Sequence, residues 1–254
     1  MTTFIYDNTF EGLLTAVFDS YVLKTRPAQI LPQHEMQSQL WINPMYISTD
    51  EKKAERVWNG LEKKLSKNSM QMPYRAFLSE MRVEMLIYNF IRLAIDTSYN
   101  IEENYFNEHV LEMKKLSRKV SREACRNLEF VRFQKTKDNI YYASVSPEYN
   151  ILPMILKHFE ERYPDQQWII YDLRRKYGFF YDLQTTKQIN LELDNVNLSN
   201  GQINADAMSA NENVFQQMWK DYFNTMAIPE RKNLKLQMNL MPKRFWKYLT
   251  EKID

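Results

Sequence analysis

Hydrophobic positions recur at helical spacing through the first half of the chain. After an apolar run at residues 4–6, Asn8 and Glu11 resemble a capping box, and the apolar stripe behind them predicts an amphipathic helix. Ser48 and Glu51 repeat the capping pattern before a second helix. We therefore expect residues 1–128 to form a mainly helical lobe.

Two longer helices are expected in the same lobe. The segment that begins at Pro73 and runs to about residue 96 is apolar nearly all round, which predicts a buried central helix. The segment from about 102 to 128 begins with acidic residues and ends with basic ones, a gradient that complements the helix dipole.

The second half of the chain changes to strand-like patterns. Two strands, a helix and two more strands are predicted over residues 129–134, 139–145, 149–163, 168–171 and 177–183. This β-β-α-β-β order predicts an antiparallel sheet over about residues 129–193, with a helix on one face. We expect an α+β protein in which N-terminal and C-terminal helices flank this sheet.

The domain organisation follows from length and pattern. A chain of 254 residues is near the upper limit for one core, so residues 1–254 are predicted to form a single domain with two lobes. The second lobe, residues 129–254, holds the sheet and the C-terminal helices. A polar tract at about 195–213 lacks apolar periodicity and is predicted to be a surface insertion.

Composition excludes several classes of chemistry. The single cysteine, Cys125, cannot form an internal disulfide or build an iron–sulfur or zinc–thiolate site, and the four glycines lie too far apart for a phosphate-binding loop. No cofactor and no metal are therefore expected. With no long apolar run and no secretory signal pattern at Met1, we expect a cytoplasmic protein without a membrane span.

Charge is small in total and uneven in distribution. The net charge is +2, but residues 112–137 hold nine Lys/Arg against three Glu, and residues 229–254 hold seven against three acids. Guanidinium groups bind phosphates in bidentate fashion, so these blocks and a basic turn between two strands predict a nucleic-acid-binding surface. The candidates are Arg122, Arg126, Arg174, Arg175, Arg231, Lys235, Lys243 and Arg244. A solvated helix end or an ordinary amphipathic helix gives the same composition.

Catalytic candidates are few, and each has a structural alternative. His158 lies in a helix without acidic residues at metal-ligand spacing, so a hydrogen-bonded structural histidine is the alternative. Asp172 precedes Arg174 and Arg175, which equally predicts a structural ion pair. Cys125 stands between Arg122 and Arg126, where cations favour thiolate, although a buried, inert cysteine is the default interpretation.

Four blocks of the sequence resemble a known family. They are F-I-Y-D-x-T-F-E-G-L-L-T-A-V-F at 4–18, S-R-E-A-C-R-x-L-x-F-V-R-F at 121–133, N-I-L-P with H-F-x-x-R-Y and W-I-I-x-D-x-R-R at 150–175, and R-x-N-x-K-x-Q-x-x-x-M-P-x-R-F-W at 231–246. Together they are similar to bacterial DNA metabolism proteins of the family called domain of unknown function 4130. Position 125 is Cys where many relatives have His, which argues against an essential imidazole there.

The resemblance implies a bacterial accessory protein of DNA repair or modification that binds DNA and works with a radical-SAM partner. Some relatives continue into a uracil-DNA-glycosylase-like domain after a similar terminus. This chain stops at Asp254, so no base-excision activity is expected. Two alternatives stay open: an enzyme that acts on DNA or a nucleotide through His158, Asp172 and Arg174, and a scaffold that contacts only the partner protein.

Overall fold

A computed structural model describes residues 2–35, 43–191, 196–197 and 199–253. The chain divides into two compact units, Met1–Ser121 and Arg122–Asp254, and the boundary falls within a long helix.

The first unit contains a three-stranded parallel sheet that the hydrophobic pattern did not reveal. Strand β1 (Thr2–Tyr6) lies between β2 (Gln29–Pro32) and β3 (Asn43–Tyr46) and pairs with both in parallel. Residues 3–6 are buried throughout, as expected of a parallel strand covered on both faces. Helix α1 (Phe10–Val22) connects β1 to β2.

The first two helices begin at different caps from those expected. Thr9 accepts a hydrogen bond from the Gly12 amide at 2.9 Å and is the N-cap of α1, while Asn8 has a positive φ of 63°. Helix α2 (Glu51–Glu62) is capped by Asp50, whose carboxylate accepts from the amides of residues 52 and 53. Both helices are present, and only the capping residue was mispredicted.

The long helix expected from Pro73 is wrong. After the short helix α3 (Lys67–Met70), this part of the chain forms the short helix α4 (Met72–Phe77) and then the separate helix α5 (Glu84–Asp96). Glu80 adopts a left-handed φ of 55°, which an α-helix cannot accommodate, so the chain turns before α5 begins. Helix α5 does bury Ile87, Phe90 and Ile91 in the core of this unit, as the pattern predicted.

Helix α6 (Glu108–Phe130) spans the unit boundary and is shifted from its predicted range. The Asn107 side chain accepts from the amides of His109 and Val110 and fixes the start. Since α6 continues to Phe130, the strand expected at 129–134 is wrong. Only the two-residue strand β4 (Gln134–Lys135) follows it.

The second unit contains a five-stranded sheet in the order β4-β5-β6-β7-β8. The remaining strands are β5 (Tyr141–Val145), β6 (Trp168–Asp172), β7 (Tyr177–Tyr181) and β8 (Thr186–Ile189), and helix α7 (Leu152–Arg162) connects β5 to β6. This arrangement confirms the α+β class.

The expectation of an antiparallel sheet is only partly correct. Strand β5 pairs with β6 in parallel, whereas the pairs β4–β5, β6–β7 and β7–β8 are antiparallel. The reason lies in α7, because a helix that crosses over the sheet returns the chain to its starting edge and makes the next strand parallel.

The tract after β8 packs partly on the sheet. Ile203 is buried with Tyr142 and Tyr171, and its amide donates to the Gln134 side chain at 3.0 Å. Thr136 forms an isolated bridge with Met208. The described part of the expected insertion at 195–213 therefore contributes to the core of this unit, while residues 195 and 198 lie outside the described residues.

The C-terminal segment is helical and rich in exposed apolar side chains. It comprises α8 (Glu212–Met226), α9 (Leu234–Leu240) and α10 (Lys243–Trp246), with short 3-10 turns at Pro229–Arg231 and Thr250–Lys252. Phe245 and Leu249 pack against Phe130 of α6. Across the described ranges, no helix combines the length and apolar character that crossing a bilayer requires.

Candidate nucleic-acid interface

The predicted basic turn between β6 and β7 is tied to the protein itself. Arg175 Nη1 lies 2.8 Å from Asp172 Oδ2, and the Asp172 carboxylate also accepts from the Arg174 and Arg175 amides. Asp172 is fully buried. Burial raises the pKa of its carboxyl, although the hydrogen bonds and charge of Arg175 oppose that shift. The structural ion pair considered for Asp172 is therefore present.

The same two arginines hold the loop before α7. Arg174 Nη1 donates to the Glu148 carbonyl at 2.9 Å, and Arg175 Nη1 donates to the Pro147 carbonyl at 3.1 Å. Guanidinium donors used in this way satisfy backbone acceptors and fix the loop. Some of the guanidinium N–H groups that were predicted to bind phosphate therefore bind backbone carbonyls of the protein instead.

Arg244 joins two further sequence blocks to this loop. Its guanidinium contacts the Glu123 carboxylate and lies 3.1 Å from Glu148 Oε2. Glu123 is 3% exposed, and its second oxygen accepts from the Glu148 amide at 3.0 Å. Residues from three of the four blocks that resemble the family thus meet around one loop.

The other basic candidates are more open. Arg122 is exposed and Arg126 half-buried on α6, while Arg231, Lys235 and Lys243 are exposed in the C-terminal segment. Within the part of the chain that the structure describes, none of these five forms an ion pair with a carboxylate. Arg122 and Arg126 lie one helical turn apart, so they share a face of α6.

The three catalytic candidates are not brought together by any contact among the described residues. His158 is exposed on α7, with its ring edge-on to Phe159 at 5.4 Å. Cys125 is exposed, so the default interpretation of a buried cysteine is wrong. It lies on the α6 face that does not pack into the core, beside buried Ala124.

A cleft in the second unit is the site that the sequence analysis missed. It has a volume of about 780 Å³. Five aromatic side chains line it, together with two cations and several polar groups: Phe133, Tyr141, Tyr163, Phe215, Trp219, Arg132, Lys135, Glu129, Gln166, Glu212, Gln216 and Thr250. The size falls in the range of small-molecule sites in proteins.

Packing against the core holds one wall of this aromatic–basic cleft. The Phe133 ring is edge-on to Phe159 at 5.6 Å and to Tyr163 at 5.7 Å. Tyr163 stacks at 6.4 Å on Phe159, which is buried. Lys135 Nζ lies 5.6 Å from the centre of the Tyr141 ring. Buried Phe159 thus positions the rings of Phe133 and Tyr163.

One buried carboxylate holds two further residues of the cleft lining, Arg132 and Trp219. Glu251 accepts from Arg132 Nη2 at 2.7 Å and from Trp219 Nε1 at 2.8 Å. Burial acts to raise the pKa of the Glu251 carboxyl, but the hydrogen bonds from Arg132 and Trp219 hold it below its usual value. The Arg132 guanidinium lies 5.6 Å from the centre of the Trp219 ring, so cation and ring are fixed together.

The start of α8 supplies a polar wall. The Ser209 amide donates to the Lys135 carbonyl at 2.9 Å, which attaches the segment before α8 to β4. Glu212, the first residue of α8, is buried and accepts from Gln216 Nε2 at 3.1 Å. Carboxylate and amide groups beside aromatic faces can hydrogen-bond the edge of a stacked ring.

No group of three or more His, Cys, Asp or Glu side chains within the described ranges has an arrangement that could hold a metal ion. The cleft lining offers aromatic rings for stacking, polar groups for hydrogen bonding and charged side chains for ion pairing.

The fold and the cleft define an α+β protein with an aromatic–basic cleft. Residues 81–251, about two-thirds of the chain, match the family described as Domain of unknown function (DUF4130), and the chain belongs to that family. The matched range includes every residue that lines the cleft. It also includes the residues that contact one another around Glu148, namely Glu123, Arg174, Arg175 and Arg244. No curated protein matches the chain.

The cleft left a weak signal in the sequence. Arg132 and Phe133 belong to the V-R-F block, and Lys135 is among the nine cations of residues 112–137. The ring-bearing residues Tyr163 and Trp219 are distant in sequence, so only the fold brings them to the same cleft.

Proposed function

We propose that this protein binds unpaired DNA through the aromatic–basic cleft and acts as an accessory factor in DNA repair or modification. The observation that carries the proposal is the lining of the cleft, in which five aromatic rings accompany Arg132 and Lys135. Single strands are bound in this way by proteins that stack bases on aromatic rings and pair phosphates with nearby cations.

Stacking supplies most of the expected affinity. The two cations of the cleft are offset by Glu129 and Glu212, and Arg132 is already paired with Glu251. Lys135 is therefore the principal phosphate contact within the cleft. A protein ring can stack on a base only where that base is not already stacked within a duplex. Aromatic rings in the cleft therefore favour single strands over duplex.

The choice of DNA and the radical-SAM partner are supported by the resemblance to bacterial DNA metabolism proteins, not by contacts in the cleft. The enzyme alternative has no support from geometry. Asp172 is buried and bonded to Arg174 and Arg175, and no described contact links His158 to it.

Fluorescence anisotropy with labelled oligonucleotides tests the proposal. We expect the protein to bind a single strand at least tenfold more tightly than the matching duplex. Lys135→Gln should weaken binding and reduce the magnitude of the salt slope, log K against log salt, by about 0.7, the value for one phosphate contact on a single strand. Lys157→Gln, an exposed lysine of α7 outside the cleft, is the matched control. Equal affinity for duplex and single strand contradicts the proposal.

A second candidate function, docking of a partner protein, is favoured by the exposed apolar side chains of α8, α9 and their connection. The apolar side chains that are more than half exposed here are Val214, Phe215, Met218, Tyr222, Met226, Ile228, Leu234, Leu236 and Leu240. Exposed apolar side chains concentrated in one segment are typical of interaction sites. We propose that the radical-SAM partner implied by the resemblance binds here.

The docking surface can be tested without touching the cleft. Leu236 and Leu240 are exposed one turn apart on α9 and do not line the cleft. The double substitution Leu236→Asp and Leu240→Asp should abolish co-purification with the radical-SAM protein and leave binding of single-stranded DNA unchanged. Retained co-purification would count against this surface.

A further inference from the structure

A small pocket in the first unit has the composition of an anion site. It has a volume of about 220 Å³ and is lined by Leu93 and by six polar residues, Arg26, Tyr88, Asn89, Arg92, Asp96 and His109. These residues come from three segments: the loop after α1, helix α5 and the start of α6. None of them lines the aromatic–basic cleft.

Tyr88 provides the observation that points to a ligand. The residue is 3% exposed, and its hydroxyl is buried without a hydrogen-bond partner among the described residues. Buried hydroxyl groups in folded proteins are almost always hydrogen-bonded, because an unsatisfied one has lost its water without compensation. A group bound in the pocket would supply the missing acceptor.

The charges around Tyr88 favour an anion as that group. Arg92 Nε and Nη2 each lie 3.1 Å from Asp96 Oδ2, and the Arg92 guanidinium sits 3.8 Å from the centre of the Tyr21 ring. Tyr21 also donates its hydroxyl to Asp96 Oδ1 at 2.6 Å. Asp96 and Tyr21 thus hold Arg92 in position. The lining contains one carboxylate, Asp96, and two guanidinium groups, Arg26 and Arg92, so its net charge is positive.

The donors suit an acceptor with several oxygens. Arg26 and Arg92 offer guanidinium hydrogens, Asn89 an amide, Tyr88 a hydroxyl, and the His109 ring an N–H in either charge state. Donors that approach from three segments match a tetrahedral group better than a planar carboxylate, and guanidinium forks pair well with phosphate oxygens.

We propose that this pocket binds the phosphate group of a small phosphorylated ligand. Its volume is sufficient for a phosphate group, and any larger remainder of the ligand would extend past Arg26, which is exposed. The site is separate from the proposed DNA-binding cleft, and its existence does not depend on that proposal.

Thermal unfolding in phosphate-free buffer at constant ionic strength tests the site, with inorganic phosphate, a 5′-nucleoside monophosphate and a 5′-phosphorylated oligonucleotide as probes. We expect at least one probe to raise the Tm of the wild-type protein saturably. The probe that binds most tightly identifies whether the phosphate is free, on a nucleotide or at a strand end.

Tyr88→Phe separates a binding hydroxyl from a structural one. Because the substitution removes an unsatisfied buried group, it should leave the Tm without phosphate unchanged or raise it, and it should weaken phosphate binding at least tenfold. Arg26→Gln should weaken binding similarly without lowering the Tm. Tyr99→Phe, at an exposed tyrosine of the same unit, is the control and should behave as wild type.

Two results overturn the proposal. One is the absence of any saturable response to all three probes in the wild-type protein. The other is a lower Tm for Tyr88→Phe in phosphate-free buffer together with an unaltered response to the probes, since the hydroxyl would then have a structural partner and no ligand.

Discussion

Arg132 and Glu251 lie 119 residues apart in the chain and form an ion pair with an Nη2–Oε1 distance of 2.7 Å. Only 2% of the Glu251 side chain is exposed, and its other oxygen accepts the indole N–H of Trp219. One carboxylate therefore fixes both a cation and an aromatic ring of the cleft. It also ties the end of the chain to the segment that follows α6.

Replacing Glu251 by Gln should destabilise the protein by about 2 kcal/mol at pH 7, because the charge-assisted bonds to Arg132 and Trp219 are lost in a buried setting. Glu251 has a folded-state pKa below its ordinary value. Its stabilisation is therefore fully present above the unfolded-state pKa of about 4.3 and disappears as the pH falls through the folded-state value. Urea unfolding at pH 7 and at acidic pH measures both effects.

Glu161→Gln is the matched control for Glu251→Gln. Glu161 forms an exposed pair with Lys157 at 3.8 Å, and such pairs contribute little. The control should change the free energy of unfolding by less than about 0.5 kcal/mol. Equal effects of the two substitutions would show that Glu251 does not organise the cleft.

Arg175→Met should be more damaging, at about 3 kcal/mol, because it leaves the fully buried Asp172 carboxylate without its cation. Lys187→Met removes the cation of an exposed pair with Asp182 and should have little effect. Urea unfolding of the two variants at pH 7 makes the comparison. A stable Arg175→Met protein would contradict the structural role of the ion pair.

The pH dependence of Arg175→Met has a definite sign. Burial already raises the pKa of Asp172, and removing Arg175 eliminates the charge that opposes this shift. The folded state then binds a proton at pH values where the unfolded aspartate has lost it. Stability of the variant should therefore fall as the pH rises from the unfolded-state pKa of about 3.9 through the raised folded-state pKa.

Substituting Arg244 should affect stability, whereas substituting Arg122 and Arg126 should affect DNA binding. Charge alone predicted all three as DNA-binding residues. Arg244→Gln leaves Glu123 buried without its ion-pair partner and should cost about 2 kcal/mol of stability. The double variant Arg122→Gln, Arg126→Gln should change stability by less than about 0.5 kcal/mol while weakening DNA binding at low salt. Loss of stability in the double variant, or none in Arg244→Gln, would reverse this assignment.

Much of the helical structure was predictable, because its apolar positions recur at helical spacing. The same holds for β5, β6 and β7, which are short apolar runs. The parallel pairing of β5 with β6 was missed because strand patterns carry no direction, and only the crossover by α7 sets it. The break at Glu80 was missed because its left-handed backbone leaves no mark in the apolar pattern.

The candidate site was harder to predict, because the sequence shows a cation but not its partner. Arg174 and Arg175 are bonded to carbonyls 26 to 28 residues away, and Arg244 to a carboxylate 121 residues away. The cleft likewise combines β4 with the residues just before it, the end of α7, and the first half of α8. The basic run at residues 112–137 contains Arg132 and Lys135, but it singled out neither of them as part of a site, and it gave no sign of the rings.

Two exposed residues of α8 test most directly whether aromatic rings of the cleft stack on unpaired bases. Phe215 is 61% exposed and lines the cleft, while Tyr222 is 57% exposed and does not. Anisotropy titrations with a labelled single strand should show Phe215→Ala binding about 5- to 100-fold more weakly, the loss expected for one stacked base. Tyr222→Ala should bind within about twofold of wild type, since a surface ring outside the cleft contributes no stacking. Undiminished binding by Phe215→Ala, or an equal loss in both variants, would contradict stacking of bases in the cleft.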